Sequence, residues 1–298
     1  MWPIASRVVR RFLGDLWELV AIAAPGMGIL GLGAAMATAL IGSWSLAIGL
    51  LLVAAAALMF TWWPRRRVSA PVARDGVRLM AANLWYWNPD MAEAGRSLLT
   101  DRPDVVVVSE LGVGAHEMLA AHFAHHEVLS IGGATGHGVY SHFPLERLPE
   151  PPLLGQVLWL RVHAPSPFEL YAAHLPRPTI VARPSDGTAR FAVCRDEARR
   201  LAELAAAVPH TVVAGDLNLS DRQPEYRSLV HRRLDVMRTV WAGNTFQATS
   251  KHAYWRLFAM RIDHLVVPAD WAVRDAKVVK VTGSDHRAVC ATIAPPAV

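Results

Sequence analysis

From Val20 to Trp63 no side chain carries a charge. As helix at ~1.5 Å per residue that run would be ~65 Å long, about twice the ~30 Å hydrocarbon core of a bilayer, so it is too long for one crossing and suits two. The expected structure is a helical hairpin, with spans at Val20 to Ile41 and Leu46 to Trp63 around a very short turn at Gly42-Ser43-Trp44-Ser45. Residues 1–67 would then form a membrane anchor with two transmembrane helices. A secretory signal peptide has a single apolar stretch of ~7 to 15 residues and a small-residue cleavage site, so this longer run is expected to stay in the membrane. Trp44, Trp62 and Trp63 fall at the ends of the second span, where indole rings favour the headgroup region. The small residues Gly31, Gly33, Ala35 and Ala37 permit close helix contact, a spacing too common in such spans to imply a dimer.

Arg7, Arg10 and Arg11 precede the first span, Arg65, Arg66 and Arg67 follow the second, and the turn is uncharged. The positive-inside rule then places both ends in the cytoplasm. This predicts a membrane location, bacterial-type inner or plasma membrane, with the rest of the chain cytoplasmic; an extracytoplasmic domain would need an odd number of crossings. The net charge of +5 is unevenly spread: beyond residue 67 there are 24 basic against 23 acidic residues. A basic excess is the footprint of nucleic-acid binders, and here it flanks the spans instead, so charge does not favour nucleic acid as a partner. No obligate protein partner is evident. Only Cys194 and Cys290 are present, which specifies no disulfide framework and suits two buried small hydrophobes.

Residues 68–76 form a polar, Pro-containing connector, and a single domain is expected over 77–298. That length is within what one hydrophobic core can serve, ~250 to 300 residues. Strand-type runs at Val77 to Ala82, Val105 to Ser109, Gly138 to Ser141, Val157 to Val162, Leu170 to Ala173, Thr211 to Ala214, Ile262 to Val267 and Ala288 to Ile293 alternate with helical patterns. The best helices are Met91 to Thr100 and Arg190 to Ala207, the second amphipathic and suited to covering a sheet.

Several of these runs end in polar residues: Asn83, Glu110, His174, Asp216 with Asn218, and Asp285 with His286. Carboxylates, amides and imidazoles projected from neighbouring strand ends can hold a hard cation and surround an anionic phosphate. The ordered set of Asn83, P-D-V-V-V-V-S-E, G-H-G-V-Y-S-H-F-P-L, A-H-L, G-D-L-N, R-I-D-H and S-D-H-R-A-V resembles the endonuclease/exonuclease/phosphatase (DNase I-like) family. The resemblance runs from about Val77 to Ile293, and its strength lies in the order of the motifs, each weak alone.

The resemblance implies an α/β fold, a four-layer α-β-β-α sandwich behind the N-terminal hairpin, and hydrolysis of phosphate esters with Mg2+ or Mn2+. It implies Glu110 as the principal metal ligand, with Asn83 beside it and Asp285 as a further metal or water-orienting acid. Asp216 matches the acid that activates water, Asn218 the amide that positions phosphate, Asp263 the acid that pairs with His286, and His174 the other catalytic histidine. Ser109 stands where many members carry Gln, and G-D-L-N replaces the commoner G-D-F-N; neither change removes a ligand.

Each assignment has a plainer competitor. Asn83 alone could cap a turn, and Asp216 or His286 alone could be a turn acid or a core histidine. His116, His122, His125 and His126 suggest zinc, but no converging third ligand is apparent, and a solvated helix face shared by His122 and His126 is the expectation. His137, His142 and His252 are given no role; His264 lies next to Asp263 and could line the pocket.

The expected function is therefore a membrane-anchored, metal-dependent phosphoesterase acting on a phosphomonoester or phosphodiester, with a lipid-linked substrate among the options. A nuclease is the alternative, for which Arg177, Arg183, Arg190 and Arg195 would supply a phosphate-binding rim. A catalytically silent membrane scaffold is the alternative of another class, disfavoured by the intact acids and histidine. The aromatic run from His252 to Met260 would suit an apolar substrate if exposed.

Overall fold

The computed structural model describes residues 2–62, 68–72, 76–240, 244–246 and 260–296. Trp63, Arg65, Arg66, Arg67 and the run from His252 to Ala259 lie outside the described residues, as do the side chains of Arg7, Arg10, Arg11 and Trp62. In chain order the elements are α1 (Trp2–Leu40), α2 (Trp44–Trp62), β1 (Val77–Asn83), α3 (Met91–Leu99), β2 (Val105–Ser109), α4 (Val113–His122), β3 (His125–Ser130), β4 (His137–Ser141), β5 (Leu145–Arg147), β6 (Gln156–Val162), β7 (Phe168–His174), β8 (Arg177–Thr179), β9 (Thr188–Arg190), α5 (Phe191–Ala207), β10 (Thr211–Asp216), α6 (Pro224–Leu229), β11 (Arg233–Asp235), β12 (Asp263–Pro268), β13 (Ala272–Lys280) and β14 (Arg287–Ala294).

Helices α1 and α2 pack against each other across a turn in which Gly42 sits at φ 80, a left-handed conformation that glycine adopts without steric cost. The seam is made of small residues: Gly28 faces Leu58 and Gly31 faces Ala54 so closely that an added Cβ would lie 2.6 and 2.9 Å from them. Gly33 has open space around it. The small residues thus serve the contact within the hairpin. Outside the seam Leu30, Met36, Leu40, Ile41, Leu52 and Met59 are exposed. Among the described residues no helix is long and apolar enough to cross a membrane; the described side chains of α2 stop at Met59, which spans about 24 Å of helix. What the fold shows is a helical hairpin, and a membrane crossing is not shown.

The remainder is α/β. Two mixed sheets, ordered β13-β14-β1-β2-β4-β3 and β11-β12-β10-β7-β6-β5, lie face to face. Strands β1 and β2 are parallel, as are β10 and β7. Strand β2 shows why: Val105 and Val107 point inward to a core shared with Leu170, Val212 and Val289, while Val106 and Val108 point outward to Leu98 of α3 and Leu119 of α4. A strand covered on both faces reads as a continuous apolar run. On the second sheet Tyr171 and Val213 meet Leu201 of α5 and Leu229 of α6. The layers are helix, sheet, sheet, helix. Truncating an inner residue such as Leu170 to Ala should cost ~2 to 5 kcal/mol, since the surrounding strands cannot collapse onto the void.

The segment before β1 is docked over part of its length. Val68 N donates to Arg238 O at 2.7 Å, Val273 N donates to Pro71 O at 2.8 Å, and Val68 and Ala70 pack against the core between the sheets. The histidine-rich stretch differs from expectation. His116 and His122 belong to α4, whereas His125 and His126 open β3, so His122 and His126 share no helical face. His126 stacks on Tyr140, and His116 Nδ1 lies 2.8 Å from the Tyr140 hydroxyl.

Candidate active site

The strand directions bring the polar ends together. Asn83 closes β1, Glu110 follows β2, His174 closes β7 and Asp216 closes β10. Strands β12 and β14 run antiparallel to their neighbours, so Asp263 at the start of one stands opposite Asp216, and His286 just before the other returns to the end of β1. Both sheets therefore contribute to one site at one end of the sandwich.

The loop backbones are set for this. Glu110 has φ 54 and Asn218 φ 46, left-handed conformations that are uncommon outside glycine and cluster at functional sites. Gly215 has φ 139, and a Cβ there would lie 1.9 Å from Ala173 O, so only glycine lets β10 deliver Asp216 beside β7. The loop before His286 is pinned through Ser284, whose Oγ donates to Asn83 O at 2.8 Å and accepts from His286 N at 2.9 Å.

Asn83 is the bridge. Its Oδ1 accepts from Trp85 N at 2.8 Å, which fixes the amide so that Nδ2 donates to Glu110 Oε1 at 3.1 Å and Asp216 Oδ2 at 2.9 Å. The resemblance implied a place at the metal; here the side chain ties two carboxylates together. Glu110 Oε2 accepts from Tyr86 N at 2.7 Å. Asp216 Oδ1 accepts from Asn218 N at 2.9 Å, and Asn218 Nδ2 donates to Leu175 O at 2.9 Å. Asp216 Oδ2 is 3.9 Å from both His174 Nε2 and His286 Nε2.

Asp263 and His286 are in direct contact, Oδ2 to Nδ1, at 2.9 Å. Burial opposes charge on His286, but Asp263 and Asp216 outweigh it and hold the imidazole up to about 10. Burial also pushes Asp263 upward. One proton serves the pair, and it belongs on the ring, because Asp216 and Asp285 face Nε2 at 3.9 and 4.0 Å. Burial pushes Asp285 up to about 6; His286 opposes this and Glu110 adds to it.

The donor set fits a hard cation. Asp285 Oδ1 is buried with no hydrogen-bond partner, beside the charge of Glu110, which is the environment oxygen ligands of Mg2+ or Mn2+ provide. Asp216, Asp263 and His286 also place ligand atoms within 4.8 Å of one another. Their ring-to-carboxylate hydrogen bond makes that trio a proton-holding unit, and the carboxylates of Glu110 and Asp285 are the better cradle.

Some neighbours were not apparent from sequence. His137 is fully buried with Nε2 3.0 Å from Ala172 O, spanning the two sheets beneath His174; burial, then the nearby His174, lowers it to about 4, so it is neutral. Thr245 Oγ1 accepts from Ile262 N and Asp263 N at 3.0 and 3.1 Å. His264, a candidate for lining the pocket, instead turns into the interior, with Nδ1 3.0 Å from Asp235 Oδ2 and Nε2 2.8 Å from Leu219 O. Arg261 joins it there, 3.2 Å from Asp221 and 3.3 Å from Asp235. Arg195 is no part of a phosphate rim: it is buried and ion-paired with Asp15 of α1 at 2.8 Å. Arg177, Arg183 and Arg190 are exposed.

This architecture has counterparts among known proteins. Residues 80–286 match the Endonuclease/Exonuclease/phosphatase family, and the chain belongs to it. Members of that family are hydrolases acting on phosphoester bonds. Three solved structures illustrate the fold. An endonuclease/exonuclease/phosphatase from Bacteroides vulgatus is 15% identical, with 75% of this chain and 100% of that one covered and a TM-score of 0.56. A 3′ phosphatase from Neisseria bound to product DNA hairpin is 19% identical, with 73% and 99% covered and a TM-score of 0.56. A beta toxin from Staphylococcus aureus with bound magnesium ions is 13% identical, with 73% and 99% covered and a TM-score of 0.53. No curated protein sequence matches the chain.

Proposed function

We propose that the chain is a divalent-cation-dependent phosphoesterase that cleaves a phosphomonoester or phosphodiester by direct attack of water on phosphorus. The observation that carries this is the convergence of Glu110, Asp216, Asn218, His174, Asp263, Asp285 and His286 around one point, with Asn83 bonded to Glu110 and Asp216 together. Asp216 Oδ2, between two imidazole nitrogens, is placed to orient water and take its proton. The Nε2 atoms of His174 and His286, both beside Asp216, would meet phosphoryl oxygens there, the second N–H of Asn218 would add a donor, and His286, kept charged by Asp263, can donate a proton to the departing oxygen. Mg2+ or Mn2+ held by Glu110 and Asp285 would neutralise charge on the phosphoryl group. In the balance, water oxygen forms the new P–O bond as the ester P–O bond breaks.

The test is phosphate or alcohol release from a panel of esters by the full chain with Mg2+ or Mn2+. Excess chelator should abolish turnover, and Glu110→Gln should lower it by a factor on the order of 10² or more without unfolding the protein. Full activity in chelator would overturn the cation's role.

The second part of the proposal is that the α1–α2 hairpin holds this domain at a membrane, with the domain on the cytoplasmic side. Exposed Leu30, Met36, Leu40, Leu52 and Met59, all within the charge-free stretch that begins at Val20, support it, because a concentration of exposed apolar side chains is unfavourable in water. A cysteine placed at Ser43 should react with an impermeant reagent in intact cells, and one at Arg183 should not; the reverse pattern would place the domain outside. A nuclease reading is weaker, since the domain is near neutral and phosphate neutralisation dominates nucleic-acid affinity.

A further inference from the structure

Beside His174 lies a cleft of about 190 Å3, formed where the turn at Gly133–Thr135, the start of β6 and the arm between β7 and α5 meet. Leu154, Leu175, Pro176, Pro184, Ala134 and Ala189 make most of its wall. Its polar contributors are few. Thr188 Oγ1 is already bonded to Arg183, donating to the carbonyl and accepting from the amide at 3.0 and 2.7 Å. Gln156 and Thr135 remain, together with His174 itself.

His174 connects this cleft to the chemistry. It is 7% exposed, its Nε2 is 3.9 Å from Asp216 Oδ2, and its Nδ1 is buried without a hydrogen-bond partner. A group that enters the cleft is therefore in contact with the ring that also faces the phosphate position. Leu154 carries the apolar wall out to solvent, being 71% exposed. Isolated exposed apolar residues are ordinary, but a concave, mostly apolar wall that meets His174 is the form of a ligand subsite.

We infer that this cleft receives an aliphatic substituent of the phosphoester, so that the substrate class is an amphiphilic phosphate carrying a saturated hydrocarbon chain next to its phosphorus. The inference rests on the phosphoesterase reading and narrows it. The volume exceeds the ~150 Å3 that accepts a benzene-sized molecule, so several methylenes fit. Among the described residues no Phe, Tyr or Trp lines the cleft, whose one ring is the His174 imidazole, and large aromatic faces are what stack on a nucleobase; a base is thus the poorer occupant. Burying each methylene should raise kcat/KM about two- to fourfold, the upper value corresponding to ~0.8 kcal/mol. The gain should stop once the chain outgrows the cleft.

The experiment uses the full chain and a series of p-nitrophenyl phosphodiesters whose second ester group runs from methyl to octyl, with Mn2+ or Mg2+ present. Water attacks phosphorus, p-nitrophenolate departs with the bonding pair, and the alkyl phosphate remains. The expected result is a rise in kcat/KM with chain length that plateaus, and a flat series in Thr135→Trp, whose indole would fill the cleft. Partition of long chains into lipid or detergent would be the same for both proteins, so the difference in slope reports the cleft. A second readout is binding: octyl phosphate should raise the melting temperature of the parent more than methyl phosphate does, and the two should be equal in Thr135→Trp. Turnover of every ester with no chain-length dependence, or a slope that survives in Thr135→Trp, overturns the inference and leaves the phosphoesterase reading standing. Absence of turnover for all esters, with no thermal shift from either phosphate, sinks both.

Discussion

The most direct test of the site is a double-mutant cycle on Asp263 and His286. Their contact, Oδ2 to Nδ1 at 2.9 Å with Asp263 fully buried, means that each residue's value depends on the other. Asp263→Asn removes the charge that, with Asp216, holds the imidazole up to about 10, so the ring is held less firmly in its charged form and loses its fixed orientation. A positioned general acid contributes ~10²- to 10⁴-fold, so each single change should lower kcat/KM by roughly 10²- to 10³-fold. Independent losses would multiply to about 10⁴- to 10⁶-fold, whereas a coupled pair should leave the double variant within about fivefold of the worse single. The assay is alcohol release from a soluble dialkyl phosphodiester under saturating Mn2+, because an alkoxide must be protonated as it departs, with thermal melts to show that all three variants fold. Multiplicative losses in folded variants would refute the pairing and, with it, the role given to Asp263.

Three further outcomes follow from other parts of the molecule. His137 is neutral and buried with its ionisation lowered to about 4, below the 6.5 of an unfolded chain, so above pH 6.5 it costs nothing and between pH 6.5 and 4 the unfolded state binds the proton first. Stability should fall by roughly 3 kcal/mol across that window from this residue, and His137→Gln should flatten the acid limb of urea-melt stability against pH; an unchanged slope contradicts the assignment. Arg261→Met leaves Asp221 and Asp235 buried without their cation, which should cost ~3 to 5 kcal/mol and lower the melting temperature on the order of 6 to 20 °C; a shift under 2 °C would show that the network is dispensable. Gly215→Ala places a methyl against Ala173 O and should abolish turnover before it abolishes helix content, read by assay and circular dichroism.

The parts of the fold legible in sequence are those buried on both faces. Strands β1, β2, β10 and β12 carry near-unbroken apolar runs because helices cover one side and the other sheet the second, and each expected run became a strand. The edge strands β3, β5 and β11 pair on one side only, and their sequences mix charge with apolar residues; the same holds for the nine-residue β13. The run H-H-E-V-L-S of β3 therefore looked like the end of a polar helix. Helix α4 was anticipated only as a solvated helical face through His122 and His126, too far along the chain, because its glycine and alanine content gives little amphipathic contrast and burial of Ala115 and Leu119 against the first sheet defines it.

The site itself was legible at its centre and opaque one layer out, and the physics explains the boundary. The acids, amides and histidines that converge there are particular side chains at strand ends, so letters and order suffice to group them as a candidate site. Residues that hold those side chains need only present a donor or acceptor at the right place. Thr245 stabilises the backbone amide of Asp263 with a hydroxyl, and Ser284 clamps Asn83 and His286 with another. His264 keeps the loop after Asn218 in place by reaching Leu219 O, while Asp235 and Arg261 balance its burial. A buried histidine that serves this purpose has the same letter as one that meets the substrate. Only the direction of its ring nitrogens separates the two, and those directions are set by strands β11 and β12, which pair across many intervening residues. That is why His264, adjacent in sequence to Asp263, faces the opposite side of its strand: successive side chains on β12 alternate, Asp263 toward His286 and His264 toward the helix-covered layer.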